Sequence, residues 1–103
     1  MKTVEVTMVR IYLSESEATI KSLLKRLHDW EKVKGVTVFR GVSGFGPTGP
    51  THTSAAVNLS LDLPLVVEFF DEPVKVQAIL EHLNNTIKPG HMVSWTAQVN
   101  ETL

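Results

Sequence analysis

The sequence predicts an α+β fold in which a four-stranded antiparallel sheet carries two helices on one face. Three observations predict it. Four segments are β-branched, aromatic or alternating in the manner of strands, and two others place apolar residues at helical spacing. No repeat or linker interrupts the 103 residues, so residues 1–103 are expected to form a single domain. The resulting order, βαββαβ, closes most simply as the ferredoxin-like sandwich, with right-handed crossovers fixing its hand.

The first strand is expected from Thr3 to Leu13, where Val4, Val6, Met8, Ile11 and Leu13 supply the apolar positions. Their parity slips near Val9–Ile11, which marks either a bulge or a stretch buried on both faces. Ser14, three residues before Glu17, has capping-box spacing and opens a helix. Ile20, Leu23, Leu24, Leu27 and Trp30 form its apolar stripe, opposite Lys21, Lys25, Arg26 and Asp29, and the helix ends near Lys32 to Gly35. Val36 to Val42 reads as a second strand. A glycine-rich stretch follows, and the run from Ala55 to Pro64 continues it as loop. Leu65 to Phe70 is apolar enough for a central strand.

Asp71 is a suitable N-cap for the second helix, with Pro73 in the first turn, where no hydrogen bond is lost. Val76, Ile79, Leu80, Leu83 and Ile87 make the buried stripe, and Lys88-Pro89-Gly90 stops it. Met92 to Val99 is the fourth strand, with the last four residues frayed. Trp30 is expected to end the helical stripe and cap the core, and Trp95 to pack in the core, with the centre of an oligomer or a ligand base as its alternatives. Phe39, Phe69, Phe70 and Trp95 nevertheless supply more large apolar surface than one helical layer buries. The sequence therefore predicts oligomerisation through the open face of the sheet.

Composition narrows the function classes. A net charge of −1 without a basic run disfavours nucleic acid. The absence of cysteine removes disulfides, thiolate metal sites and cysteine nucleophiles. No window approaches a membrane span, and the alternating start is unlike a signal peptide, so a cytoplasmic protein without membrane insertion is expected. No nucleophile elbow or paired-carboxylate spacing singles out a catalytic group, and the expectation is a protein that is not an enzyme.

The segment Gly41 to Thr53, GVSGFGPTGPTHT, is the main functional candidate. Backbone N–H groups at Gly41, Gly44, Gly46 and Gly49 can converge on an anion, with Ser43, Thr48 and Thr53 adding hydroxyls. The alternative is a hairpin whose turns are set by Pro47 and Pro50. His52 can donate to a phosphate, sense pH or bind a metal; a solvated loop histidine is the competing reading. His91, with Lys88 and Gly90, is either a second wall of the same site or an ordinary turn. His28 and His82 are read as structural. The four histidines show no paired ligand spacing, which leaves a divalent-metal site through His52 and His91 as a minor alternative.

Arg40-Gly41, Gly44-Phe45-Gly46, Gly49, His52-Thr53, the Leu59-to-Pro64 run LSLDLP and Glu68-Phe69-Phe70-Asp71 together resemble the PII-like family known as DUF190, across nearly the whole chain. The resemblance implies a homotrimer with its sheets facing inward. It also implies ATP, ADP or another adenine nucleotide, or a different small anionic metabolite, held between subunits, and a loop that docks on a membrane transporter or enzyme. On this reading the ligand-binding residues are Arg40, Gly41, Ser43, Gly44, Phe45, Gly46, Gly49, His52, Thr53, Lys88, Gly90 and His91. The loop lacks the tyrosine of PII proteins, and Lys88-Pro89-Gly90-His91 replaces their Gly-Asp-Gly-Lys. The cations expected to neutralise a polyphosphate are Lys88, Arg40 and Arg10. A trimeric adaptor without a small ligand is the alternative.

Overall fold

In chain order the elements are β1 (Lys2–Leu13), α1 (Glu17–Lys25) running into a π-helical turn (Arg26–Trp30), β2 (Val36–Arg40), β3 (Ser43–Gly44), β4 (His52–Thr53), β5 (Leu65–Asp71), α2 (Pro73–Leu83) and β6 (Met92–Glu101). The computed structural model describes residues 2–14, 17–44, 52–53 and 64–101. The four long strands form one antiparallel sheet in the order β2-β5-β1-β6, the expected ferredoxin-like topology. The Ser14–Glu17 junction and the run from Ala55 to Leu63 fall wholly or partly outside the described residues.

β1 pairs on both sides without interruption, from Thr7↔Asp71 to Leu13↔Leu65 against β5 and from Lys2↔Glu101 to Ile11↔Met92 against β6. The parity slip is therefore not a bulge; β1 is apolar on both faces. Residues opposite one another in a ladder share a face. Val9, Ile11 and Leu13 thus join Leu65, Val67 and Phe69 under the helices, and Ile20, Leu23, Leu27, Val76, Ile79 and Leu83 close the core above them. Phe69 belongs to this core, 2% exposed, and not to the surplus apolar surface.

The other face carries that surplus. Register places Met8, Arg10 and Tyr12 beside Val66, Glu68 and Phe70, with Phe39 on one flank and Val93 and Trp95 on the other. Tyr12, Phe39, Phe70, Val93 and Trp95 are between 41% and 49% exposed. Trp95 is thus not a core residue of the protomer, because alternation from buried-side Met92 turns it outward. β6 also continues through Asn100 and Glu101 instead of fraying at Val99. Its partner Lys2 extends β1, and Lys2 Nζ lies 3.4 Å from Glu101 Oε2.

Trp30 is 79% exposed and does not end the apolar stripe. The helix widens after Lys25, and Glu31 N–H donates to Arg26 O at 3.0 Å, five residues back instead of four. An α-helix advances 3.6 residues per turn, so the position after Leu27 on the buried face falls between residues 30 and 31. The wider turn delays it to Glu31, which is buried, and Trp30 swings out. Lys32 then leaves the helix at φ 59°, ending it slightly before the expected boundary.

α2 begins at Pro73 as expected, but its N-cap is Glu72, whose backbone is extended and whose side chain makes no cap bond. Asp71 remains in β5 because its ladder partner Thr7 holds it there. The buried Asp71 carboxylate accepts from Glu72 N–H at 2.8 Å and faces Lys75 Nζ at 2.9 Å. Lys75 also donates to the Lys32 carbonyl at 2.6 Å, tying the two helices together. Burial opposes ionisation of Asp71, but the Lys75 and Glu72 hydrogen bonds and the charges of Lys75 and Lys34 outweigh it, holding the carboxyl below its ordinary range.

Leu83→Ala should cost about 2–5 kcal/mol in chemical denaturation, since Leu83 is fully buried, whereas Val74→Ala, at an exposed site, should fall within about 0.5 kcal/mol of zero. Asp71 should also leave a signature at acid pH. With a folded pKa below the unfolded one, its contribution is complete above the unfolded value of about 3.9 and is lost as pH falls through the folded value. Urea midpoints measured from pH 5 downward should therefore decline less steeply in Asp71→Asn than in the parent.

Candidate functional site

The base of the glycine-rich segment is built against one proline. β2 ends at Arg40, two residues short of the predicted Val42, because the next partner across the ladder is Pro64. Proline has no N–H to return, so only Gly41 N–H to Pro64 O forms, at 2.7 Å. A Cβ on Gly41 would stand 2.7 Å from Pro64 Cγ and 3.2 Å from the Pro64 carbonyl, and one on Gly44 would stand 3.3 Å from Cγ. Close approach accounts for glycine at both positions. β3 and β4 then pair as a short ribbon, Ser43↔Thr53 and Gly44↔His52, so the segment leaves and returns as a hairpin. Phe45, Gly46, Gly49, Pro47, Thr48 and Pro50 lie outside the described residues, and His52 and Thr53 are placed by their backbone alone.

The second expected wall begins β6. Gly90, at φ 83°, reverses the chain after α2, where a side chain would be strained. His91 N–H donates to Lys88 O at 3.2 Å, and Tyr12 N–H donates to His91 O at 2.8 Å. His91 Nδ1 lies 2.9 Å from the Tyr12 carbonyl. A carbonyl can only accept, so Nδ1 carries the proton and Nε2 is the ring atom left for a ligand.

Lys88 and His91 open onto a groove of about 680 Å³ between α1 and the α2–β6 turn, floored by Leu13, Leu23, Leu83 and Ile87. Lys25, Arg26 and Trp30 form its opposite rim. Periodicity had placed Lys25 and Arg26 on the solvated side of the helix. The signal was a basic pair in the last turn of the helix, and both residues are exposed as their spacing predicts, at the rim of the groove. Arg26 Nε also reaches Glu31 Oε2 at 3.3 Å, and His82 Nδ1 reaches Glu31 Oε1 at 3.0 Å, so the buried carboxylate has two partners. His28 is an exposed partner of Asp29 at 2.7 Å. Its hydrogen bond lowers the Asp29 pKa.

The two expected walls do not meet within one protomer. Arg40 to Gly44 leave the outer strand β2, whereas Lys88 to His91 lead into the outer strand β6. They share one end of the sheet, since Arg40 pairs with Leu65, Leu65 with Leu13, and His91 with Tyr12. β5 and β1 lie between them, a separation of roughly 14 Å at the usual strand spacing. Arg10 is on the open sheet face, 2.5 Å from Glu68 Oε2 and 5.5 Å above the Trp95 ring. The Glu68 hydrogen bond raises its pKa above the ordinary value. Among the described residues no three His, Asp or Glu side chains cluster as metal ligands. No described helix is long and apolar enough to cross a membrane.

The DUF190 family model, described as "Uncharacterized ACR", matches residues 6–99. A UPF0166 protein of Aquifex aeolicus is 34% identical over 88 residues, covering 81% of this chain and 83% of that protein. CPII of Thiomonas intermedia K12, bound to ADP and bicarbonate, shares the fold with a TM-score of 0.72 at 21% identity, over 97% of this chain and 93% of CPII. A second CPII structure, of a nitrogen regulatory PII-like protein bound to ADP, AMP and bicarbonate, gives a TM-score of 0.72 at 19% identity, over 99% and 100% of the two chains.

Gly41→Ala should cost about 1–3 kcal/mol, because the proline ring and its carbonyl cannot yield freely. Gly35→Ala meets nothing within 4 Å and should be neutral or stabilising by about 0.4–1 kcal/mol. Thermal melts of the two variants side by side check the contrast.

Proposed function

Because the chain belongs to the DUF190 family, we propose that it works as a PII-like regulatory protein, a homotrimer that binds a small anionic ligand between its subunits. Adenine nucleotide is the ligand class, as in the CPII structures with ADP and AMP. The observation that carries the reading is the separation of the two walls. Arg40–Gly44 and Lys88–His91 stand on opposite outer strands at one end of the sheet, so a neighbouring subunit is needed to complete the cleft. The open apolar face around Phe39, Phe70 and Trp95 offers the surface on which such neighbours pack. Ligand bound there would change the segment between β3 and β4, and through it the affinity for a partner, a transporter or an enzyme. The protein on this reading is a cytoplasmic sensor and not an enzyme.

Sedimentation equilibrium should give a trimer, and Phe70→Glu should shift it toward monomer. In thermal-shift assays against ATP, ADP, AMP and bicarbonate, a ligand at 100 times its dissociation constant should stabilise by about 2.7 kcal/mol. Arg40→Ala, Lys88→Ala and Phe70→Glu should each weaken that response. A monomeric parent, or a trimer indifferent to every nucleotide, would sink the sensor reading. In the second case a ligand-free adaptor remains.

A further inference from the structure

We propose that the groove between α1 and the α2–β6 turn is a binding site in its own right, complete within one subunit, for an organic phosphate carrying a planar apolar group. It differs from the intersubunit cleft in taking its recognition from α1, and it stands whether or not subunits assemble.

The wall divides by chemistry. Lys25, Arg26 and Lys88 bring three permanent cations to one opening, and no carboxylate lines it among the described residues. Lys25 and Lys88 form no ion pair among the described residues, and Arg26 engages Glu31 through Nε, leaving its other N–H groups. Like charges gathered at a common mouth repel one another, an arrangement that an anion relieves. His91 adds an imidazole already oriented by the Tyr12 carbonyl. A phosphate, with several strong acceptor oxygens, matches the N–H donors of Lys25, Arg26 and Lys88.

The floor and one rim are apolar. Leu13, Leu23, Leu83 and Ile87 lie beneath the cations, and Trp30 stands 79% exposed beside them. The π-helical turn puts Trp30 there, where regular helix would have turned it toward the core. Such turns recur at functional sites. An exposed indole next to cations suits a ligand with a flat face as well as a charge. The volume of about 680 Å³ lies within the range of small-molecule sites.

Phenyl phosphate and inorganic phosphate are the probes, titrated into the Trp95→Phe protein so that Trp30 alone reports by fluorescence. Phenyl phosphate should quench Trp30 saturably and bind about tenfold or more tightly than inorganic phosphate. Lys25→Glu should weaken phenyl phosphate about tenfold or more, as expected for a hydrogen bond to a charged group. Trp30→Ala, followed by calorimetry, should remove the preference for the ring. Both side chains are exposed, so unchanged melting temperatures will show that the variants fold. Arg40→Ala should leave the titration unaltered, which separates this groove from the intersubunit site. The proposal is overturned if quenching never saturates, if Lys25→Glu binds as the parent does, if the two phosphates bind equally, or if Arg40→Ala abolishes binding.

Discussion

The unbroken pairing of β1 between β5 and β6 is the constraint on which the remaining structure depends. A strand held on both sides cannot rotate, so its side chains must alternate, and a strand apolar on both faces must present one apolar set away from its own helices. Val9, Ile11 and Leu13 obtain cover from α1 and α2. Met8 and Tyr12 do not, and the same register carries Phe70, Phe39, Val93 and Trp95 to their side. The helical layer and the open apolar face are two consequences of one ladder.

That ladder also determines where the ends of the functional segments lie. The sheet order puts β2 and β6 at opposite edges, and the chain leaves β2 and enters β6 at the same end of the sheet. Pro64 then decides how β2 stops, since it accepts one hydrogen bond from Gly41 and cannot donate another. Glycine at 41 and 44 follows from the crowding against the proline ring. The base of the hairpin is therefore fixed by packing, and whatever the segment does for a ligand is built on that fixed base.

Much of this was legible in the sequence because it rests on period. The two helices, the four strands and their order followed from spacing, and the predicted surplus of apolar surface is visible in Phe39, Phe70 and Trp95. What escaped were changes of phase. Trp30 sits at the right interval for the α1 stripe, but the π-helical turn adds to the interval and gives the buried position to Glu31. No residue in Arg26–Trp30 announces such a turn, since its support is tertiary: His82 from α2 and Arg26 both meet the Glu31 carboxylate. Lys25 and Arg26 are exposed as their spacing predicts, and they become groove residues only because α1 packs beside the α2–β6 turn. Asp71 has the composition of a cap and acts instead as a buried counter-ion to Lys75, a role that becomes visible only when β5 is paired. The members of the site were thus partly readable, but their grouping was not.

The open face is not uniformly apolar, and the ion pair among its aromatic residues clarifies how it is organised. Arg10 and Glu68 are direct ladder partners on β1 and β5, and the guanidinium lies over the Trp95 ring from β6. Three strands are joined by one cation. A lone charge on a surface to be covered would carry a heavy desolvation penalty, whereas a charge already paired at 2.5 Å and stacked on an indole enters cover largely compensated. The pair adds direction to a surface whose apolar contacts alone would tolerate sliding. Its donors and acceptors must still be satisfied after a neighbour arrives, which restricts the orientations in which a neighbour fits. Phe39, Phe70 and Trp95 supply attraction across the face, and Arg10 with Glu68 supplies the geometric selectivity that apolar contact lacks.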